Sequence, residues 1–323
     1  MERTLEAELK DVLALIDDLQ ERAELLSGGG EGSAYFTVHP NRPFAGVIDA
    51  YMLILVRRRL GLPVLTATSS LTCPACKAPN ALTSNLTGGH ALHCTQKGVG
   101  GLKGMWSSRH HQFLTVLKRV LHTTLRSLMI TLTVSQEPVL YNIPGWSARP
   151  GFEGGVVAPR GDLAVAIEND RVLVGDVMIT HPVVRAHATQ AATTAGHAAK
   201  LAFDFKTQYY NARHNFPKGT FFPIAVETGG RMHPETHKFL ALLVRLSVTG
   251  TLDPDVEMKA DQKRAYAAKL RFVITATSAQ LARSTAAAIY CLANACKVAA
   301  VSDPVVMQPA PAPVAGAVEG ADE

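Results

Sequence analysis

One spacing of metal-type ligands restricts the fold of this chain more than any other feature. Cys73-x2-Cys76-x13-His90-x3-Cys94 places three thiols and an imidazole in one short stretch. Zinc takes four such ligands tetrahedrally, and a Cys-x2-Cys turn presents two thiolates from a single bend. A His-x3-Cys pair shares one face of a helical turn, which favours His90 over the neighbouring His93 as the fourth ligand. We therefore predict a closed, structural zinc site; the alternative is two unrelated free thiols near two histidines.

Cysteine usage and the lack of long apolar runs indicate which compartment the protein occupies and whether it spans a membrane. The chain has 323 residues and five cysteines, an odd number, of which three lie at ligand spacing. This usage favours a reducing compartment and a metal site over a disulfide framework. No apolar run approaches the roughly 18 residues that cross a bilayer, and the charged N-terminus lacks a signal-peptide apolar region. We expect an intracellular protein with no membrane partner, in which Cys291 and Cys296 are core residues of a helix.

The middle of the chain carries positive charge only. No Asp or Glu lies between Asp49 and Glu137, although the formal net charge of the whole chain is only +5. The stretch holds five histidines and ten cationic residues: Arg57, Arg58, Arg59, Lys77, Lys97, Lys103, Arg109, Lys118, Arg119 and Arg126. The remainder therefore carries 5 − 10 = −5. A block of one sign attracts polyanions, and phosphate neutralisation supplies most nucleic-acid affinity. We expect DNA or RNA as the partner, not a small molecule; the alternative is a solvated basic face.

The N-terminal segment has the spacing of a coiled-coil seam. Apolar residues alternate at intervals of four and three over residues 1–27: Leu5, Leu9, Val12, Ile16, Leu19, Ala23 and Leu26. This pattern predicts one helix. A Gly-rich stretch begins at Gly28 and opens a linker over 28–44. The helix could form a homodimer, or it could fold back on its own core, because three heptads are marginal alone in water.

The remaining elements predict a mixed α/β fold, with a core sheet flanked by helices. Residues 45–108 form a basic helix and the zinc knuckle, 109–232 the core, 233–300 a helical part and 301–323 a disordered tail. Predicted helices are 45–60, 109–129, 183–214, 234–249 and 256–298, and predicted strands are 139–141, 163–167, 172–180 and 221–228. Asn169-Asp170 predicts a hairpin turn between two of these strands.

Two isolated carboxylates lie beside this predicted hairpin. Asp162 opens the strand 163–167 and Asp176 lies in the next strand, so the hairpin brings both side chains to the same end. Two hard oxygen ligands at that spacing could bind Mg²⁺, which activates water for phosphodiester hydrolysis. The reaction also needs a cation against developing charge. The following helix offers Lys206, with Tyr210 one turn further on the same face, and Lys200 as second choice.

The order of several short motifs resembles the C-terminal region of certain non-LTR retrotransposon polyproteins. The matching residues are Arg59-Leu60-Gly61-Leu62-Pro63, the Cys/His spacing, Gly100-Gly101, Arg109-His110, Glu137-Pro138, Arg160-x-Asp162, Asp176-Val177-x2-Thr180, Lys206-x3-Tyr210, Phe222-Pro223 and Glu227-Thr228-x-Gly230. That region is the restriction-like endonuclease of the PD-(D/E)xK superfamily, preceded by a zinc knuckle. The resemblance covers about residues 45–300, and its order is more specific than any single motif.

The resemblance implies Mg²⁺ on Asp162 and Asp176, a lysine that has migrated to the next helix as Lys206, and nicking of one DNA strand in the nucleus. It assigns Arg109-His110, at the start of the first core helix, to DNA phosphates or to support of the active site, with Lys118 and Arg119 further along that helix. Met178 replaces the lysine that the motif usually carries. No reverse-transcriptase signature occurs in the chain.

Two other functions compete with a Mg²⁺-dependent endonuclease. One is a DNA- or RNA-binding protein that keeps the fold and the zinc knuckle without cutting. The other is an interaction protein assembled through residues 1–27, for which salt-sensitive nucleic-acid binding is not expected. The feature that separates the first two is whether Asp162, Asp176 and one lysine converge on a single point.

Overall fold

The computed structural model describes residues 12–37, 47, 49–60, 62–64, 73, 76, 88–94, 102–126, 133–152, 159–167, 171–183, 187–253 and 255–295. The predicted disordered tail, the first two apolar positions of the heptad segment, the Asn169-Asp170 turn and Cys296 lie outside these residues. The side chain of His93 lies outside them as well.

Along the described chain, four helices precede four strands, and pairs of helices and strands follow. The helices are α1 (Leu19–Ser27), α2 (Asp49–Arg59), α3 (His90–His93), α4 (Leu102–Leu125), α5 (Ala188–Ala191), α6 (His197–Arg213), α7 (Pro234–Thr249) and α8 (Ala260–Ala295). The strands are β1 (Thr133–Gln136), β2 (Ser147–Ala148), β3 (Leu163–Ile167), β4 (Arg171–Thr180), β5 (His214–Asn215) and β6 (Phe221–Glu227). Two 3-10 helices span Gly30–Thr37 and Leu140–Asn142.

A four-stranded mixed sheet lies at the centre, in the order β1-β3-β4-β6. The β1–β3 and β3–β4 pairs are antiparallel, whereas β4 and β6 are parallel. A parallel pair needs a crossover connection, and α6 provides it between β4 and β6. β2 and β5 form a separate antiparallel pair. The predicted mixed α/β class, with a core sheet flanked by helices, is therefore confirmed.

The two faces of the sheet have different covers. Alternate residues of a strand point to opposite faces. Leu163 and Leu173 belong to the largest core cluster, together with apolar residues of α4, α7 and α8 such as Phe113 and Leu243. Residues of the opposite parity, such as Val174, pack with Tyr210 of α6. The second face therefore lies under α6, and it is the face to which even-numbered residues of β4 point.

The predicted single helix over residues 1–27 is wrong. Residues 12–14 are helical, but α1 begins only at Leu19, because the Asp18 carboxylate accepts hydrogen bonds from the backbone N–H groups of Gln20 and Glu21. Such a cap starts a new helix. Ala23 and Leu26 of the predicted seam are buried within the same chain, and α1 packs against α5. For α1 the structure therefore has the folded-back arrangement.

Two further element predictions are also wrong. The predicted helix 183–214 is two helices, since Gly196 adopts a left-handed φ of 79° immediately before α6. The predicted strand 139–141 is mostly a 3-10 turn, with only an isolated bridge between Val139 and Arg160. The edge strand β1 had no separate prediction, although it pairs with β3 along its whole length.

Candidate active site and metal cluster

The β3–β4 hairpin brings the two predicted carboxylates together. Leu163 pairs with Gly175, so the same register places Asp162 opposite Asp176. The backbone N–H of Asp162 donates to the carbonyl of Gly175 at 3.1 Å. Alternation along the strands directs both side chains to the face under α6, beside Val174. The prediction that a hairpin gathers these side chains agrees with this geometry.

The Asp162 carboxylate is held by two neighbours. Its Oδ1 lies 3.2 Å from Nε2 of His110, and its Oδ2 accepts the backbone N–H of Val177 at 2.6 Å. Burial alone would raise the pKa of Asp162. The hydrogen bond and charge of His110, the Val177 N–H and the charge of Lys206 outweigh burial, so the pKa lies below its usual value. Asp162 is therefore kept ionised.

The Asp176 carboxylate is more deeply buried, with 5% of the residue exposed. The Tyr210 hydroxyl donates to its Oδ1 at 2.9 Å, and the Lys206 ammonium pairs with its Oδ2. Burial and then the charge of Asp162 raise the pKa of Asp176, against the opposing effects of Lys206 and Tyr210. Burial and the Asp176 charge also raise the pKa of Tyr210, so the phenol remains a donor.

The two candidate lysines of α6 have different surroundings. Lys206 and Tyr210 are four residues apart and both reach Asp176. The Lys200 ammonium instead pairs with Asp204 at 2.5 Å, and 62% of its side chain is exposed, compared with 23% for Lys206. The structure therefore brings Lys206, not Lys200, into the group formed by the two carboxylates.

Glu227 fixes the beginning of the helix that carries the lysine. Its Oε1 accepts the backbone N–H groups of Ala198 and Ala199, at 3.0 and 3.2 Å, in the first turn of α6. Burial raises the pKa of Glu227, opposed by hydrogen bonds from the Ser27 hydroxyl and these N–H groups. The first N–H groups of a helix lack intrahelical partners, so a buried carboxylate there stabilises the helix start. Sequence analysis identified Glu227 without assigning this role.

Arg109 is not available as the predicted nucleic-acid contact. Only 5% of the residue is exposed, because it shares the buried face of α4 with Phe113, one turn further on. Burial, and then the charge of Arg58, lower the pKa of Arg109 to about 10. Of the two other predicted contacts on α4, Lys118 is half-buried and Arg119 is exposed. His110, by contrast, faces the Asp162 carboxylate.

Some cations of the positively charged stretch between Asp49 and Glu137 make contacts within the protein. The Arg58 guanidinium pairs with Glu24 of α1 at 2.9 Å, and Arg59 donates to the carbonyl of Leu25 at 3.1 Å. These groups join α2 to α1. The sequence count therefore overstates the cationic surface, because charge that is neutralised or buried adds little to an external field.

Glu137 lies beside the first carboxylate through its backbone. Its N–H donates to the carbonyl of Asp162 at 3.0 Å, and its φ of 51° is in the left-handed region. Its side chain faces His111, with Oε1 3.6 Å from Nε2. Glu137 therefore helps to end the β1–β3 pairing next to the site, and its carboxylate is directed at His111.

The four predicted zinc ligands come together. Ligand atoms of Cys73, Cys76, His90 and Cys94 all lie within 4.8 Å of one another. The Cys73 and Cys94 sulfurs are 3.7 Å apart, and the Cys76 sulfur is 3.4 Å from Nε2 of His90. A tetrahedron with Zn–S bonds of about 2.3 Å has edges of about 3.8 Å between sulfurs. A disulfide requires about 2 Å. The cluster could therefore bind a metal ion such as zinc.

The cluster is docked on the long C-terminal helix. Leu92 of α3 packs with Ala286 and Ile289 of α8 in a second hydrophobic core. Gly88, just before α3, has a φ of 82°, and a Cβ there would lie 2.6 Å from the Ile289 side chain. Cys291, predicted as a core residue, is exposed, because it points away from the α8 face that carries Ile289.

No protein-family model, curated protein or solved structure matches the chain. Within the described residues, no helix combines the length and the apolar character that a membrane span requires.

Proposed function

We propose that this protein is a Mg²⁺-dependent DNA endonuclease that nicks one strand. The observation that carries the proposal is the convergence of Asp162, Asp176 and Lys206, with Tyr210 and His110 directly behind them. Two carboxylates on adjacent strands can hold a metal ion that activates water, and an ammonium beside them can offset the charge that develops on the phosphate. The resemblance to the restriction-like endonuclease of non-LTR retrotransposons agrees with this set and with a lysine displaced to α6.

The electrostatics of the site favour a divalent cation between the two carboxylates. Burial, and then the charge of Asp162, raise the pKa of Asp176, and the second effect is the repulsion between two ionised carboxylates. Carboxylate oxygens are the ligands that Mg²⁺ prefers, and the ion would offset this repulsion. When bound, it would lower the pKa of a water molecule and offset phosphate charge. His110 would orient Asp162, Tyr210 would orient Asp176, and the Lys206 ammonium would face the phosphate oxygens.

Three further parts of the proposal rest on the same resemblance. The mixed sheet, with its carboxylates on β3 and β4 and the lysine helix before β6, is proposed to be a restriction-endonuclease-like core. The Cys73/Cys76/His90/Cys94 cluster is proposed to hold a structural zinc ion, since all four ligand positions are filled by protein. Nuclear DNA is the proposed substrate.

One observation favours a non-cutting DNA-binding protein as second candidate. The Lys206 ammonium already neutralises Asp176, whose residue is 5% exposed. If a metal ion cannot displace the Lys206 ammonium from Oδ2 of Asp176, no metal binds there, and the protein would bind DNA without cutting it. A buried ion pair that loses a partner is costly, so the exchange requires the metal to replace the lysine charge.

Nicking of supercoiled plasmid with Mg²⁺ tests the proposal. Wild-type protein should nick, and Asp176→Ala and Lys206→Met should lose activity by at least about a hundredfold. Lys200→Met is the matched control, because its ammonium pairs with Asp204 on the same helix, and it should retain activity. Wild-type protein that binds plasmid but never nicks it, over a range of Mg²⁺ and Mn²⁺ concentrations, would support the non-cutting candidate.

A further inference from the structure

Aromatic side chains are left exposed beside the C-terminal half of α6. Phe205 and Tyr209 lie about one turn apart on the outer side of the helix, with ring centroids 6.2 Å apart. Their exposed fractions are 56% and 40%, and that of Phe152, near the end of the helix, is 47%. Aromatic side chains usually dominate cores and interfaces. A contiguous exposed group therefore marks a binding surface.

A cation lies between these rings. The Arg213 guanidinium is 3.9 Å from the ring centroid of Tyr209 and 5.3 Å from that of Phe152. The backbone N–H of Arg149 donates to the Arg213 carbonyl at 2.9 Å, which holds the chain before Phe152 against the end of α6. We call Phe152, Phe205, Tyr209 and Arg213 the aromatic surface.

Charge on this part of α6 is positive. The only carboxylate in the helix is Asp204, and its charge is already matched by Lys200 at 2.5 Å. Within the part of the chain that the structure describes, no ion pair joins Arg213 or the exposed Arg149 to a carboxylate. A surface of exposed rings with cations fits an anionic partner that has flat faces to stack.

The aromatic surface begins next to the catalytic residues. The ring of Tyr209 is 5.4 Å from that of Tyr210, whose hydroxyl donates to Asp176. The same hydroxyl also lies 3.3 Å from the carbonyl of Arg160, an exposed residue on the approach to Asp162. A chain bound on the aromatic surface would thus lie on the same helix that carries Lys206 and Tyr210.

We infer that the aromatic surface binds unpaired bases of single-stranded DNA next to the scissile bond. Exposed rings stack on the face of any base, and Arg213 can contact both a base and a phosphate. Paired bases in a duplex are already stacked on each other and present their phosphates, so the rings would gain little there. The inference deepens the proposed nuclease function and rests on it for the position of the scissile bond, but binding itself requires no hydrolysis.

Binding of full-length protein without Mg²⁺ tests the inference, since no cutting occurs. Fluorescence anisotropy would compare a labelled single strand of about 20 nucleotides, longer than one small binding site, with a hairpin duplex. The Phe205→Ala/Tyr209→Ala variant should bind the single strand about a hundredfold more weakly, at about tenfold for each ring. Its affinity for the duplex should change by less than about threefold. Leu201→Ala is the matched control, an exposed apolar residue one turn before Phe205.

The outcomes separate this inference from the nuclease proposal. Equal losses on single strand and duplex, or a loss with Leu201→Ala as large as with the ring variant, would overturn the inference. So would tighter binding of an RNA strand of the same sequence, or unchanged binding of the single strand. Circular dichroism should show that the ring variant is folded, and Tyr209→Phe, which keeps a ring, should bind like wild type. If the protein never nicks plasmid but the ring variant selectively loses affinity for the single strand, the binding inference stands and the nuclease proposal is wrong.

Discussion

The metal cluster and the carboxylate site gather charged groups in opposite ways. Cys73, Cys76, His90 and Cys94 offer only groups that bind a cation, and the last two lie in or next to the one-turn helix α3. The carboxylate site takes its residues from the regular elements α4, β4 and α6 and from Asp162 at the edge of β3, and it includes its own cation in Lys206. A metal ion could hold the first set of ligands together, whereas the second has the sheet and an ion pair.

This difference shows where order comes from in each region. Structural zinc sites supply folding free energy through the metal. The carboxylate site draws its order from strand register and from helix packing, which persist without an ion. The two regions should therefore respond independently to loss of metal. Substitutions in each region test this independence.

Loss of a zinc ligand should have the largest effect. Cys94→Ser should abolish binding of one zinc equivalent, and the segment around α3 should lose its structure, because such sites contribute about 10–16 kcal/mol of apparent binding free energy. Hydrogen exchange should increase at α3 and not at β3, β4 and α6. Cys291→Ser, at an exposed thiol outside the cluster, is the control. Equal deprotection of both regions would show that they are one unit.

A smaller effect is expected at the imidazole next to Asp162. His110→Ala removes a hydrogen bond that orients the carboxylate, and nicking should fall about 10- to 100-fold, with zinc content unchanged. His111→Ala is matched in size and position, but its imidazole faces Glu137 and should leave the rate nearly unchanged. A plasmid-nicking time course measures both. Equal losses would indicate that the helix, and not the hydrogen bond, supports Asp162.

Removal of the α6 cap should cost about 1 kcal/mol, the usual contribution of a helix cap. Glu227→Ala leaves the N–H groups of Ala198 and Ala199 without their carboxylate, so the unfolding free energy and the nicking rate should both decrease. Glu227→Gln keeps an acceptor oxygen of the same size and should recover most of both. Urea denaturation and nicking together measure this effect. A Gln variant as impaired as Ala would show that the charge, not the acceptor, is required.

The smallest effect is a difference in pH dependence. Burial and Asp162 raise the folded pKa of Asp176 above 3.8, so between 3.8 and that pKa the folded state binds more protons than the unfolded state. This contribution to stability therefore decreases as pH rises, by at most about 1.4 kcal/mol per pH unit. Asp162 has the opposite sign but acts below 3.8. Urea denaturation from pH 4 to 7 should show that wild type loses stability relative to Asp176→Asn. A constant difference would contradict the shift.

The parts of the site that were predictable depend on short-range spacing. The ligand spacing identified the four residues of the cluster, and the strand pattern around Asp162 and Asp176 identified the hairpin that brings them together. Both depend on side chains within about 20 residues of each other, along turns or on two adjacent strands. Lys206 was preferred over Lys200 because Tyr210 lies one turn further on the same face of the helix.

The parts that were missed depend on packing between distant segments. Arg109 and His110 are adjacent in sequence, and only the packing of α4 decides that the first is buried and the second faces Asp162. Glu227 caps a helix that begins about 30 residues earlier, which no local pattern indicates. The heptad spacing predicted one helix, but Asp18, a cap that is visible in the sequence, begins a new helix at Leu19.

The Ser27 hydroxyl has a consequence for the order in which the molecule matures. It accepts the N–H of Gly229, a contact that spans 202 residues, and it donates to Glu227, the cap of α6. A ribosome releases α1 first and Glu227 long afterwards, so the loop between them must close before this end of α6 is fixed. Lys206 on α6 therefore reaches its final position only when most of the chain has been made. The proposed nuclease would therefore be unable to act before synthesis has passed Gly229.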